Sequence, residues 1–167
     1  MKIVLSVVLF IVALIVFVCT VISNYVYNYN FNKECCDYLK LAAYSPSIEK
    51  STQFLEKALV YLEKEEKTTG NSAFIFKTPS SDIGIWFSQL KEAQKTLVKC
   101  LPDSISGLEK TNALMKIRET IENGTILTLP PYLDTFPKHI FFLWTYILSL
   151  MIMFISLILI MVFYYYN

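Results

Sequence analysis

Few residues in this chain of 167 could do chemistry. There is one histidine, His139, and there are four cysteines, Cys19, Cys35, Cys36 and Cys100. A thiol or hydroxyl nucleophile needs a base within hydrogen-bond reach. His139 abuts a long apolar run, which suits an interfacial residue better than a catalytic one. The neighbouring Cys35 and Cys36 have the wrong spacing for zinc, which takes ligands a few residues apart and further Cys or His elsewhere. A phosphate loop needs clustered glycines, and Gly70, Gly84, Gly107 and Gly124 are isolated. The carboxylates of EKEEK, Glu63–Lys67, read as a solvated helix end, not as an acid–base pair. The expectation is a protein with no catalytic residues, no metal and no cofactor.

The stretch most like a motif is KTPSSDIGIWFSQL, Lys77–Leu90. Nearly all of it serves to start a helix. Pro79 suits a first turn, where its missing N–H costs nothing. Thr78, Ser80 or Ser81 can cap, and Asp82 favours the positive helix end. Trp86 supplies a large apolar anchor. Gly84 alone is not needed by the helix, where it costs up to about 1 kcal/mol. Its lack of a side chain would admit a neighbouring backbone, with the AFIF connector the expected neighbour. Asp82, Gly84, Trp86 and Phe87 are therefore the candidate interaction edge.

CCDYLKLAA, ALVYLE and KTPSSDIGIWFSQL together resemble a family of small, uncharacterised helical proteins, often membrane-associated. That family shows a Cys followed by YLK-x-AA, then YLE, then TP-x-x-D-x-G-x-W. The resemblance covers Cys35 to about Leu97. It implies a small helical module with Asp82, Gly84 and Trp86 in the shared pattern, and it implies no catalytic role.

The elements that position these residues follow from an uneven distribution of charge. All 14 acidic residues, and every basic one except Lys2, lie between Lys33 and Lys138. That segment is formally neutral, so no basic field draws it to nucleic acid. On either side are uncharged apolar runs, Ile3–Ile22 and Ile140–Phe163. At about 1.5 Å per residue, 20 residues cover roughly 30 Å, the thickness of a bilayer's hydrocarbon core. A cleaved signal peptide is the rival reading of the first run, but its apolar region is normally about 7–15 residues. The second run carries Trp144 and Tyr146 near one end and Tyr164, Tyr165 and Tyr166 at the other, as interfacial rings do. The expected architecture is all-α. Residues 1–31 form an N-terminal anchor with its juxtamembrane segment, 32–124 a helical domain, 125–138 a Pro-rich linker and 139–167 a second membrane helix. Lys2 argues for a cytoplasmic N-terminus and Lys33 with Lys138 for the reverse, and long loops obey the charge rule poorly. The expectation is a two-pass protein with its helical domain extracytoplasmic. An oxidising compartment would allow one disulfide, Cys100 with Cys35 or with Cys36, and three buried reduced thiols are the alternative.

Four helices are expected in the domain. Helix A covers Lys33–Tyr44, capped by Asn32 and stopped by Ser45-Pro46. Helix B covers Ser47–Lys67 with a buried stripe of Ile48, Thr52, Leu55, Leu59 and Leu62, an i,i+4 pair of Glu63 with Lys67, and a stop at Gly70. An extended connector follows at Asn71–Lys77, with Phe74 and Phe76 on one side and Ile75 on the other. Helix C covers Ser80–Cys100 with a seam of Ile83, Trp86, Leu90, Ala93, Leu97 and Cys100. Helix D starts at a Ser106/Glu109 capping box and carries Leu108, Leu114, Ile117 and Ile121. B and C should pair as the central hairpin. Neither span holds an ionisable residue of the kind that marks ion paths, and neither has a clear small-xxx-small pair. Asn123-Gly124-Thr125 matches a glycosylation sequon.

The functional expectation is a membrane-tethered helical interaction module or accessory subunit, with the lipid bilayer and a protein as partners. The alternative is a small ligand-sensing extracytoplasmic domain coupled to two spans, an arrangement that resembles the input half of bacterial chemoreceptors. No output domain lies between the second span and Asn167, which favours the first expectation.

Overall fold

The computed structural model describes residues 2–73, 75–102, 105–123 and 126–165. The regular structure among the described residues is helical apart from one antiparallel hairpin of two-residue strands, and the chain falls into two compact units. One holds the residues up to Tyr27 with those from Lys138 onward, and the other is Asn28–Pro137.

The first unit is built from α1, Lys2–Phe31, and α6, His139–Tyr165. Both helices are long and apolar enough to cross a membrane. They lie antiparallel. Phe17 meets Tyr146 edge-on at 5.8 Å, and Tyr27 meets Phe142 edge-on at 5.6 Å. Apart from Phe31 at the end of α1 and His139 at the start of α6, the residues they bury recur every seven positions: Ser6, Ala13 and Thr20 on α1, Phe142, Ser149 and Ser156 on α6. A seven-residue repeat keeps one face on its partner, and small residues there let apolar helices approach closely. The Tyr146 hydroxyl crosses the seam and donates to the Thr20 carbonyl at 3.5 Å. Thr20 donates to the Val16 carbonyl at 2.8 Å and Ser156 to that of Ile152 at 2.8 Å, each within its own helix.

The second unit is a helical array. After α1 the chain makes a π-helical turn, Asn32–Cys36, and passes directly into α2, Asp37–Ala43. Asn32 is therefore inside a helical run and is no N-cap. The wider turn brings both Cys35 and Cys36 into the core. Helix α3, Ile48–Lys64, starts at Ser47, whose hydroxyl accepts from the Lys50 N–H, and buries Ile48, Ser51, Leu55, Ala58, Leu59 and Leu62. Thr52 is only half-buried and Ser51 takes the interior place, its hydroxyl donating 2.8 Å to the Ala42 carbonyl at the end of α2.

Helix α3 stops three residues short of the expected Lys67. Glu66 turns left-handed at φ 56°. The Glu66 N–H then bonds the Glu63 carbonyl at 3.2 Å and the Lys67 N–H bonds that of Leu62 at 2.8 Å. This pair of bonds is the Schellman closure, normally given to glycine. Gly70, at φ 104°, makes a second bend further on.

Helix α4, Ile83–Lys99, buries Ile83, Trp86, Leu90, Ala93 and Leu97, and Cys100 is its half-buried C-cap. It packs against α3 as the expected hairpin partner, and its other side meets α5, Gly107–Ile121, which also touches α2. Ser106 caps α5 by accepting from the Glu109 N–H. Its buried face is Ala113, Ile117 and Ile121. Leu108, expected inside, is 73% exposed, and Leu114 only flanks the core. The hairpin pairs β1, Glu122–Asn123, with β2, Ile126–Leu127. Between Pro130 and Pro137 the chain turns back on the domain, with Leu133 fully buried. Phe74 of the connector, Gly124 and Thr125 of the sequon, and Tyr166 lie outside the described residues.

Candidate functional site

The four residues of the expected interaction edge lie at the start of α4, from its N-cap Asp82 to Phe87, and most of their chemistry is already committed. Asp82 is the N-cap, its carboxylate accepting from the Ile85 N–H at 3.1 Å. The earlier Thr78 caps a separate 3-10 turn, Pro79–Ser81, in a reciprocal capping box with Ser81. Trp86 is only 8% exposed, and its indole N–H donates 2.8 Å to the Thr128 carbonyl. Phe87 is half-buried, with the Lys91 ammonium 5.6 Å from its ring. A side chain at Gly84 would come first against the Asp82 carboxylate, 3.2 Å from a built Cβ. Among the described residues the nearest backbone is Thr68–Thr69, at an ordinary 3.9–4.0 Å. Gly84 thus leaves room for the cap beside it.

A second cluster lies under the 130–137 turn. Lys67 is 1% exposed. Its ammonium donates to three main-chain carbonyls, Leu133 at 2.6 Å, Asp134 at 2.7 Å and Phe136 at 2.6 Å, and sits 5.2 Å from the Phe31 ring. A tetrahedral ammonium has three N–H bonds, and each has found a carbonyl. Burial lowers the Lys67 pKa to about 8, and the Asp134 carboxylate works against that fall. Asp134 itself accepts from the Asn28 amide at 3.0 Å. The expected Glu63–Lys67 pair is not formed. Glu63 instead reaches Lys91 of α4 at 2.7 Å. Sequence reasoning missed this site. Its sole outward sign is a lysine one residue past a turn, a position usually solvated.

The thiols beside this cluster are held inert. Burial pushes Cys35 well above the ordinary thiol pKa, with Cys36 adding to the rise and Lys67 opposing it. Burial raises Cys36 to about 11. A thiol is a nucleophile only as thiolate, so burial of this kind suppresses reactivity. All four cysteines are free thiols in the structure, with Cys35 and Cys36 buried, Cys100 half-buried and Cys19 exposed on α1. Neither candidate disulfide with Cys100 is formed. His139 opens α6 and is buried within the first unit.

An open groove of about 590 Å³ runs between the π-helical turn with α2 and the outer face of α3. Tyr38 and Tyr61 form its aromatic walls, with Glu34, Glu56, Lys57 and Lys64 at the rim. Lys57 lies 5.1 Å from the Tyr38 ring. Among the described residues, no group of three or more His, Cys, Asp or Glu is placed to hold a metal ion. No family model matches the chain, and comparison with curated proteins and with solved structures finds no match to it.

Proposed function

We propose that the chain is a two-pass membrane protein whose helical domain, Asn28–Pro137, is extracytoplasmic and serves as an interaction module or accessory subunit. In this reading it has no catalytic role, and it belongs with other small helical proteins that share the YLK/YLE/TP-D-G-W pattern. One observation carries it: the polar groups that could do chemistry are spent on architecture. Lys67 gives all three N–H bonds to the main chain, Trp86 gives its one to Thr128, and Asp82 caps α4. What remains available to a partner is surface, with Phe87 as the accessible member of the expected edge.

Two measurements test the proposal. Thiol labelling at introduced surface cysteines, in intact and permeabilised cells, reads the side of the membrane. Affinity capture of the full chain from its own membrane, with Phe87→Ala and with charge reversals along α3 and α4, reads the interaction. Loss of one partner by substitutions on one face, with helicity unchanged by circular dichroism, supports the module. Retention of every partner by all surface variants overturns it.

A second reading, a ligand-sensing domain, is favoured by the groove between Tyr38 and Tyr61, whose volume falls within the range of about 300–1,000 Å³ usual for small-molecule sites. Its test is a search for a compound that stabilises the full chain and loses that effect on Tyr38→Ala.

A further inference from the structure

We propose that a groove between α1 and α6 seats a single lipid acyl chain at mid-bilayer depth. This rests on the two-pass reading above. The groove has a volume of about 220 Å³. Val12, Ala13 and Val16 of α1 line one side, and Leu148, Ser149 and Ile152 of α6 the other. Ala13 and Ser149 are buried at its floor, while Val12 and Leu148 are exposed at its rim, so it opens along one side of the helix pair.

The lining is apolar because its two hydroxyls are turned back into their own helix. Ser149 donates 3.0 Å to the Tyr146 carbonyl, and Thr145 donates to that of Phe141. A water needs two to four polar partners to stay in a cavity, whereas an apolar cavity of about 150 Å³ stays dry and takes apolar guests. The groove is also local. One seven-residue repeat away in either direction, Ser6, Thr20, Phe142 and Ser156 are all buried. At one end the seam is closed by Phe17 edge-on to Tyr146 and by the Tyr146 hydroxyl on the Thr20 carbonyl.

Shape and depth select the guest. The lining positions run over 9–16 and 145–152, seven steps on each helix, or about 10.5 Å. A volume of about 220 Å³ over that length gives a mean section of about 21 Å², a bore about 5 Å across. A helix with its side chains is about 10–12 Å across and does not enter such a bore. A single file of carbons, standing off its neighbours at about 3.5–4.0 Å, does. The apolar run Ile3–Ile22 is centred between Val12 and Ala13, and Ile140–Phe163 between Met151 and Ile152. The lining positions share the first centre and lie three residues, about 4.5 Å, from the second. The hydrocarbon core extends about 15 Å to either side of its midplane, so headgroups do not reach this depth and acyl tails do.

The test uses the full chain in phosphatidylcholine nanodiscs that contain a phosphatidylcholine with a diazirine near the methyl end of one acyl chain. After irradiation, adducts are mapped by mass spectrometry at Val12 and Leu148 on the rim, and at Ile11 and Leu150 on other faces of the same helices. These four are 52%, 59%, 48% and 51% exposed and are matched in depth on each helix, so chains that only pass by label them alike. An excess of at least about fivefold at Val12 and Leu148 is expected, a preference of about 1 kcal/mol. Ala13→Leu, or Ser149→Leu from the other wall, should remove the excess and leave Ile11 and Leu150 labelled. Ser149→Ala keeps the shape and should keep the excess. Equal labelling of all four positions in the wild type overturns the seated chain and leaves the two-pass reading standing. Labelling at Val12 and Leu148 below the other two also overturns it, because another helix or a second copy then covers the groove. An excess that survives both leucine variants overturns it as well. No label at Ile11 or Leu150 means that the helices do not lie in the bilayer, and the two-pass reading fails with this one.

Discussion

Replacing Lys67 by methionine should cost the domain about 3 kcal/mol. The substitution keeps the apolar stem and removes three donors from carbonyls 2.6–2.7 Å away. A hydrogen bond from a charged group contributes about 1.5–3 kcal/mol net, so three contribute roughly 4–9. Against this stands the cost of burying the charge. The fall in pKa from 10.5 to about 8 corresponds to roughly 3 kcal/mol that methionine does not carry. The Asp134 and Phe136 bonds are only part-buried, so water can replace some of what they lose. These terms leave a net loss toward the low end of the range. Guanidinium titration of the full chain in mild detergent, followed by Trp86 fluorescence in a Trp144→Phe background, measures it. The pH dependence gives a second reading of the same group. Below about pH 8 the folded and unfolded states both hold the proton, and the difference between wild type and variant is flat. Between about 8 and 10.5 the folded state has released it while the unfolded state retains it. Unfolding then takes up a proton, so wild-type stability relative to the variant rises with pH, by up to about 1.4 kcal/mol per unit. A Lys67→Met chain within about 0.5 kcal/mol of wild type, or a difference that is flat across pH 8–10.5, refutes the assignment of Lys67 as the tie between the α3 end and the 130–137 turn.

Glu66→Gly should stabilise the domain by about 1 kcal/mol in the same titration, because Glu66 holds φ 56° in a closure that glycine adopts without strain; an unchanged midpoint would contradict the turn. Trp86→Phe should lose about 1 kcal/mol by leaving the Thr128 carbonyl without its 2.8 Å donor, whereas Trp86→Ala should lose about 3–5 through the added cavity. Ile117→Ala should cost about 2–4 kcal/mol and Leu108→Ala less than about 0.5, and the reverse order would mean that α5 is rotated. In folded protein an aromatic disulfide reagent should modify Cys100 well ahead of Cys35 and Cys36, whose thiolates burial suppresses; equal rates would place the pair outside the core.

What could be read from the sequence was whatever the local pattern carries. The two apolar runs needed only length and the absence of charge, and both are continuous helices. The stripe Leu55, Leu59, Leu62 and the seam Ile83, Trp86, Leu90, Ala93, Leu97 are buried as their spacing requires. The misses have separate causes. Lys67 is buried by carbonyls 66 to 69 residues away, and no window along the chain contains both partners. Asn32 resembles a cap, but the turn that contains it is π-helical, and the extra residue re-aims the two cysteines inward. In α5 the large Leu108 and Leu114 suggest one buried line, whereas the interior stripe is Ala113, Ile117 and Ile121 at four-residue spacing. At the expected edge, Gly84 has a local explanation in the Asp82 cap, so the residue that helix-building did not require is used by helix-starting.

The seam between α1 and α6 carries the same lesson at a different period. A search for small residues four apart finds nothing decisive in either apolar run, because their spacing is seven. Ser6, Ala13 and Thr20 fall on one line of α1, and Phe142, Ser149 and Ser156 on one line of α6. A straight helix drifts about 20° per seven residues, so three positions stay within one contact face over two repeats. Between any two helices that cross a bilayer no hydrophobic gradient favours pairing, and close approach comes from side chains that are small. The alternation on α6 of one large ring, Phe142, with two serines fits this. The ring meets Tyr27 edge-on, and Ser149 and Ala13 line one apolar cavity between the helices. A polar residue in an apolar run is thus read correctly only with its period. Alone, Ser149 and Ser156 suggest weak polarity in a membrane helix. Seven apart and matched by Ser6, Ala13 and Thr20, they mark the face on which the helices meet.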